Sequence, residues 1–565
     1  MAQPRTHVVG GLRALRTAIV SPSPAPPAGE RALPLTFLDA QWLSAHPVER
    51  VFFYRLGPGG DDVDAVLSRL VESLARALHA FYPLAGRVRL TPGETNRYEL
   101  FYQPGDGVAF TVAEHDGVGV GVDELADTDE PREVARIATF VPELPKGGAV
   151  LALQATVLPP DRRGLALGVT VHHSACDGVS STHFLHTWAA ACAGDRVLPE
   201  PPVIDRTIIR DRNDMYDAFA SPASEAKHAF DSPDVAGKLL ATFTLSRQQL
   251  QNVKDAVAGE AARRGVAPPR CTSLVATLGL TWLCFRRAGP DGEEGPRGDG
   301  RAHLVFPVDH RSRLEPRVPE KYLGNCIGPG FATAHETELA TTTTTADGLF
   351  TACAAVAAGI DEAVRGEPTY WERWVERITE ACADDMSLSV AGSTRFGVYD
   401  MDFGFGRPAK VDVVSVAKTD AMSVAEDRSG SGGIEVGIAL SPARMERFRR
   451  WLADAIALLS SNLSVRVGPS PTITEGLLTA CTADRCRRRH RRGFGVYDVD
   501  FGFGRAAKVD VVSVEKTDAM SVAEDRFGSG GIEMGIALPS ERSAWRGSGG
   551  GSPTTLPGSS SSQHN

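Results

Sequence analysis

No run of apolar residues in this 565-residue chain approaches the roughly 20 needed to span a bilayer, so no membrane role is expected. Cysteine is sparse and unpatterned. Nine scattered residues, an odd number, make no disulfide framework and suit a reducing compartment. Cys481, Cys486 and His490 have C-x4-C-x3-H spacing but fall short of a closed zinc site, so no metal is expected. Positive charge is also in deficit. A net charge of −10 argues against nucleic acid as the main partner. The start carries Arg5, Arg13 and Arg16 with a trace of transit-peptide composition, but no continuous apolar stretch. It is a poor secretory signal, and a cytoplasmic location is expected.

What is present reads as an α/β protein long enough for two or three domains and a large core. Val63, Val66, Leu67, Leu70, Val71, Leu74 and Leu78 form an amphipathic stripe after Asp61-Asp62 and predict a helix. Strand-like runs at 98–102 and 150–158 are expected to join a strand ending at His173 in one mixed sheet, giving a first domain over residues 1–195. Pro199 to Pro202 and the polar stretch to about 235 predict a crossover linker, 196–235. A second domain is expected over 236–465. In it Ser246 precedes a helix over 248–264, Thr272 or Ser273 caps a helix ending at Arg287, and residues 289–300 form a Gly-rich surface loop. A strand over 303–308 then leads into Asp309-His310-Arg311-Ser312-Arg313-Leu314.

The chemistry concentrates in His172-His173-Ser174-Ala175-Cys176-Asp177-Gly178. Leu165, Leu167, Val169, Val171 and His173 share one parity, so a strand would bring His173 out on its buried side, at the edge of a core. Asp177-Gly178 marks a turn, and Phe184, Leu185, Trp188 and Ala189 have helical spacing. His173 therefore occupies a strand-to-helix bend. A lone histidine there is more often a core residue bonded to a carbonyl. With an ordinary pKa of about 6.5 and an aspartate four residues on, it can instead act as a general base.

The HxxxD pattern of His173 and Asp177, with Asp402-Phe403-Gly404-Phe405-Gly406, resembles the BAHD acyltransferases of plants. Their second motif is DFGWG, so Phe405 stands in place of Trp. The resemblance continues through Leu33 to Asp39, Val48 to Tyr54, Tyr82 to Arg87 and Tyr322-Leu323-Gly324-Asn325-Cys326, in family order from about residue 5 to 465. The last segment is similar to the YFGNC motif of the anthocyanin and phenolic-glucoside branch, many of whose members use malonyl-CoA. The resemblance implies two chloramphenicol-acetyltransferase-like domains, with mixed sheets and flanking helices and a channel between them. It implies an acyl-CoA co-substrate, malonyl-CoA first, no permanently bound cofactor, a phenolic or flavonoid glucoside as acceptor, and a monomer.

The same resemblance implies roles. His173 is the general base. Asp177 supports the loop by pairing with an arginine of the second domain, Arg311 or Arg313. Asp402, Phe403, Gly404, Phe405 and Gly406 are structural, and Ser393 and Thr394 are candidates for lining the site. Cys176 invites a nucleophile reading, which direct transfer does not need. Coenzyme A is anionic and needs a local basic patch, which sequence spacing does not pick out. Val179, after the Asp177-Gly178 turn, offers no cation to a malonyl carboxylate. The alternatives are a hydroxycinnamoyl-CoA-dependent transferase and a non-catalytic duplicated relative. Condensation domains share the HHxxxDG pattern, but no carrier module accompanies this one.

The second alternative is raised by a repeat. Residues 396–440 recur without gaps as 494–538, and only five of 45 positions differ: Met401/Val499, Pro408/Ala506, Ala417/Glu515, Ser429/Phe527 and Val436/Met534. Structural repeats of long standing diverge further. The segment 493–540 is thus read as a recent duplicate of 395–441, joined by a basic linker over 466–492 and followed by a Gly/Ser/Pro-rich tail over 541–565. The run Arg485 to Arg492 is read as a solvated linker rather than a nucleic-acid patch. Only the first copy is followed by an amphipathic cover helix, 445–459. Strands formed by the second would have no obvious sheet to join and would leave exposed edges.

Overall fold

The computed structural model describes residues 8–9, 11–26, 29–57, 62–115, 117, 120–127, 129–159, 162–220, 235–290, 300–340, 345–365, 368–466, 520–524 and 532–536. The basic run, the core of the Gly-rich loop and residues 221–234 of the expected linker lie outside these, as do Cys481, Cys486 and His490. Among the described residues no helix is long and apolar enough to cross a membrane, and no group of three or more His, Cys, Asp or Glu could hold a metal. The chain divides into units Met1–Val467 and Gly468–Asn565.

The first unit contains two seven-stranded sheets. One runs in the order Val8–Val9, Leu12–Val20, Val108–His115, Leu151–Leu158, Gly164–Val171, Val48–Arg55, Lys410–Val413. The other runs Ile327–His335, Arg301–Asp309, Leu388–Gly392, Ala421–Glu426, Ile434–Leu440, Leu239–Leu245, Arg132–Glu133. Both are mixed, with parallel pairing of Val108–His115 to Leu151–Leu158 and of Leu388–Gly392 to both of its neighbours. Each sheet takes its last strand from the other half of the chain, so a boundary at residue 195 does not separate them. Tyr98–Tyr102 does not join the His173 strand as expected. It lies between Arg31–Pro34 and Arg87–Leu90 in a separate three-stranded sheet.

Local signals explain the helices. The apolar stripe is the buried face of the helix Val63–Ala80, with Val71 only partly covered. Ser246 starts the helix Arg247–Arg264 in a reciprocal capping box with Gln249, and Thr272 caps Ser273–Arg287. The helix following the first repeat copy is longer than its periodicity suggests, Pro442–Arg466. Its Met445, Phe448 and Leu452 are buried, and Phe448 packs 5.4 Å from Phe243 of the second sheet.

In the second unit the described residues are one hairpin, Met520–Glu524 with Ile532–Ile536, in the register of Ala421–Glu426 and Ile434–Leu440: Met520 opposes Ile536 as Met422 opposes Ile438. The substitutions separate the copies energetically. Ala417 and Val436 are buried, at 1% and 2% exposure, and the second copy has Glu515 and Met534 at those positions. A carboxylate at the Ala417 position would have to leave water unpaired, and the longer, unbranched methionine side chain at the Val436 position would overpack it. The first copy is the one matched to the sheet.

Candidate active site

The strand Gly164–Val171 is buried along its whole length between Leu151–Leu158 and Val48–Arg55. It ends two residues earlier than sequence parity suggests because its ladder partners run out: Val171 opposes both Val48 and Leu151, the first residues of their strands. His173 therefore sits in the turn beyond the strand, and strand parity does not orient it. Asp177 then starts the helix Gly178–Ala193 by accepting from the Ser180 amide at 3.0 Å.

The His173 ring is held from outside its own segment. Trp42 stacks on the imidazole with centroids 3.8 Å apart and planes 12° from parallel. The carbonyl of His173 accepts from Asn325 Nδ2 at 2.9 Å, and the same amide group donates to Asp39 Oδ1 at 2.9 Å. Asp39 is fully buried. Its other oxygen takes an ion pair from Arg206 at 2.6 Å and bonds from the Thr36 amide and hydroxyl, both at 2.8 Å. Burial lowers the His173 pKa below the ordinary histidine value. The ring's own backbone carbonyl, Asp177, Asn325 and Asp39 oppose that shift without cancelling it. The imidazole is therefore neutral near pH 7, with a nitrogen free to accept a proton.

Asp177 faces away from this ring. Arg311 grips both of its oxygens, Nη1 to Oδ2 at 2.8 Å and Nη2 to Oδ1 at 3.0 Å, and the Cys326 amide adds a bond to Oδ2 at 3.0 Å. Burial disfavours the Arg311 charge, but Asp177 outweighs it and raises the guanidinium pKa. Of the two arginines proposed from sequence, Arg311 is the partner and Arg313 is not. Arg313 is exposed and donates to the carbonyl of Asp309. The chain turns after Asp309, whose carboxylate accepts from the Arg311 amide at 2.9 Å, and this turn sends Arg311 inward. The network joins the 172–177 loop to residues 311 and 324–326, the segments leading from and into the outer strands of the second sheet.

Ser393 and Thr394 lie in a turn after Leu388–Gly392. That turn packs on the helix of the His173 loop: the Phe396 ring meets Gly178, and its carbonyl lies 2.9 Å from His186 Nε2. Asp402-Phe403-Gly404-Phe405-Gly406 sits at the other end of this helix. Asp402 Oδ1 accepts from the amides of Gly404 and Gly406, whose φ values of +87° and +109° demand glycine. Phe403 packs edge-on against Trp188 at 4.9 Å, and Phe405 against Tyr54 at 5.1 Å. Trp188 is ten residues along the helix from Gly178, about 15 Å at 1.5 Å per residue. Cys176 is buried and its thiol pKa is pushed up by that burial, which makes it a poor nucleophile.

Sequence reading missed Trp42, Asn325, Asp39 and Arg206 as site residues. Asp39 and Asn325 lie in segments singled out by resemblance, with no role attached. Arg206 falls in the stretch read as linker, and Trp42 carried no signal beyond its proximity to Asp39.

The model of the Transferase family matches residues 14–455. Phenolic glucoside malonyltransferase 1 of Arabidopsis thaliana is 31% identical over 465 residues, covering 77% of this chain and 96% of its own. The Arabidopsis malonyl-CoA:anthocyanidin 5-O-glucoside-6''-O-malonyltransferase is 32% identical over 76% of this chain and 95% of its own. Coumaroyl-CoA:anthocyanidin 3-O-glucoside-6''-O-coumaroyltransferase 2, also from Arabidopsis, is 29% identical over the same shares. Among solved structures, vinorine synthase has the same fold, with TM-score 0.55 and 19% identity over 77% of this chain and 96% of that one. So does F. graminearum TRI101 complexed with ethyl coenzyme A, with TM-score 0.54 and 17% identity over 74% and 96%.

Proposed function

The chain belongs to this Transferase family, the BAHD acyltransferases, and from that premise we propose that it moves an acyl group, malonyl before others, from coenzyme A to a hydroxyl of a phenolic or flavonoid glucoside, with His173 as general base. The observation that carries the reading is the neutral, Trp42-stacked imidazole four residues before an aspartate whose oxygens are taken up by Arg311 and two backbone amides. Such an aspartate fixes the loop and leaves proton transfer to His173 alone.

His173 takes the proton of the acceptor hydroxyl as its oxygen attacks the thioester carbonyl. The tetrahedral intermediate collapses, the C–S bond breaks, and the imidazolium returns the proton to the departing sulfur, giving an ester and free coenzyme A. A thiol of pKa about 8.5 leaves readily, so the demand falls on activating the hydroxyl and stabilising the oxyanion. Ser393 and Thr394 are candidates for the second task. No covalent acyl-enzyme is required. Seven free cysteines among the described residues support a cytoplasmic protein, and we read it as a monomer.

The test is the purified chain with equal malonyl-, acetyl- and coumaroyl-CoA and a panel of phenolic glucosides, products identified by mass. Malonyl esters of the sugar are expected. A clear aromatic preference would move the protein to the hydroxycinnamoyl reading, and absence of any ester would mark a non-catalytic relative.

A further inference from the structure

A cavity of about 200 Å³ opens beside His172, walled by Leu43, Ser44, Val88, Tyr98 and Phe219. Two of its walls continue the residues of the proposed centre. His172 precedes His173, and Leu43 and Ser44 follow Trp42, which stacks on His173. The volume is below the roughly 300–1,000 Å³ of sites that enclose a whole drug-sized ligand. It suits one ring of a molecule whose remainder lies outside it, and walls that are apolar at Leu43, Val88 and Phe219 and polar at Ser44 and His172 suit a ring that carries a polar substituent.

The polar end of the cavity has a defined hydrogen-bond sense. His172 Nδ1 accepts from the Ser174 backbone amide at 3.3 Å, with the Ser174 hydroxyl 2.8 Å from the same nitrogen. A backbone amide can only donate, so Nδ1 carries no proton and the neutral ring holds its hydrogen on Nε2. Burial, reinforced by His173, pushes the His172 pKa down to about 4, which keeps the ring neutral under working conditions. Nε2–H has no protein partner among the described residues. The polar side chains of the lining, His172, Ser44 and Tyr98, are all uncharged and match an uncharged hydroxyl, whereas a carboxylate there would lack the cation it needs.

We propose that this cavity is the subsite for the phenolic aglycone of the acceptor, its ring lying between Tyr98 and Phe219 and a ring hydroxyl accepting from His172 Nε2–H. The proposal rests on the phenolic-glucoside reading above and adds a residue that selects among aglycones while taking no part in proton transfer. The sugar, which carries the reacting hydroxyl, lies toward His173.

Two acceptors that differ only in the ring hydroxyl, 4-hydroxyphenyl β-glucoside and phenyl β-glucoside, test it on the full chain with malonyl-CoA. The wild type should have the higher kcat/KM for the hydroxylated acceptor, and His172→Leu should cut that ratio roughly tenfold, the scale of a hydrogen bond left unmade in a site built for it. Ala220→Phe, which fills the cavity from another lining position, should weaken both aryl glucosides relative to methyl β-glucoside. An unchanged acceptor ratio in a folded His172→Leu protein overturns the assignment. So does an Ala220→Phe loss as large for methyl β-glucoside as for the aryl compounds, and this second variant decides the matter if the first does not fold. If the wild type acylates no glucoside, the functional reading fails separately. Calorimetric titration of 4-hydroxyphenyl β-glucoside into wild type and His172→Leu then decides the subsite: tighter wild-type binding upholds it, equal or absent binding ends it.

Discussion

The indole of Trp42 lies almost parallel to the imidazole of His173, 3.8 Å away, because Val48–Arg55 and Gly164–Val171 are neighbours in the first sheet and bring together segments far apart in the chain. Stacking at this distance fixes the ring plane and covers one face, so a proton can reach His173 only at its edge. Asp39, three residues before Trp42, is tied through Asn325 to the carbonyl of His173. The stack and the backbone of the base are therefore positioned by one connected set of bonds.

Replacing Trp42 tests that positioning. Trp42→Leu should lower kcat by about 10- to 100-fold, since small misplacements of a reacting group can cost about 100-fold. Trp42→Phe, which restores a flat ring, should recover much of it. Steady-state kinetics on folded variants checks this, and equal losses in both would remove the stacking argument.

His173→Ala should reduce turnover by about 100-fold or more, the usual scale for removing a general base, while circular dichroism and the melting curve stay near wild type. Turnover that survives in a well-folded His173→Ala protein would end the proposed mechanism.

Asp177→Ala and Arg311→Ala should act through stability first. Each strands one member of a buried ion pair, at a cost of about 3–5 kcal/mol, visible as lost soluble yield and a lower denaturation midpoint. Arg313→Ala, on the exposed neighbour, should leave the midpoint within about 0.5 kcal/mol of wild type.

Acid should affect both rate and stability. Because burial depresses the His173 pKa, the acid limb of kcat/KM should lie below pH 6.5, the base staying deprotonated to lower pH. His172 and His310 are likewise pushed down by burial, to about 4 and about 3. These folded-state values lie below the unfolded value of about 6.5, so the unfolded chain gains protons first as pH falls. Stability is then full above pH 6.5 and declines from there down to about 4 for His172 and about 3 for His310, by up to about 1.4 kcal/mol per pH unit for each histidine. Urea titrations at pH 7.5, 6 and 5 measure it, and a midpoint that rises on acidification would contradict the assignment.

A chain ending at Arg466 should fold and catalyse at least as well as the full protein, because the first repeat copy supplies the sheet strands and the helix Pro442–Arg466 packs beside them. Loss of activity in a soluble truncated protein would show that the second copy contributes.

How far the site was legible in the sequence depended on distance along the chain. Asp177 as a helix cap, the Ser246–Gln249 capping box and the Val63 to Leu78 stripe are local, and periodicity and residue type record them directly. The resemblance offers Arg311 and Arg313 equally, two residues apart in one short segment, and the turn after Asp309 separates them. Tyr98–Tyr102 was assigned to the wrong sheet for a related reason: alternation marks a strand, but nothing within five residues names the strand beside it.

By itself the sequence determined the α/β class, the strand-to-helix bend holding His173, the motifs that mark the acyltransferase family, and the duplicated segment with its five differing positions. Tertiary structure decided that Lys410–Val413 completes the first sheet and that Arg311 holds Asp177. It also decided that Trp42 covers the His173 ring and that a cavity opens beside His172. The physical reason is that local structure follows from the backbone preferences of neighbouring residues. The ring against which a side chain packs, or the charge with which it pairs, is set by long-range strand order and register, which bring together residues more than a hundred positions apart.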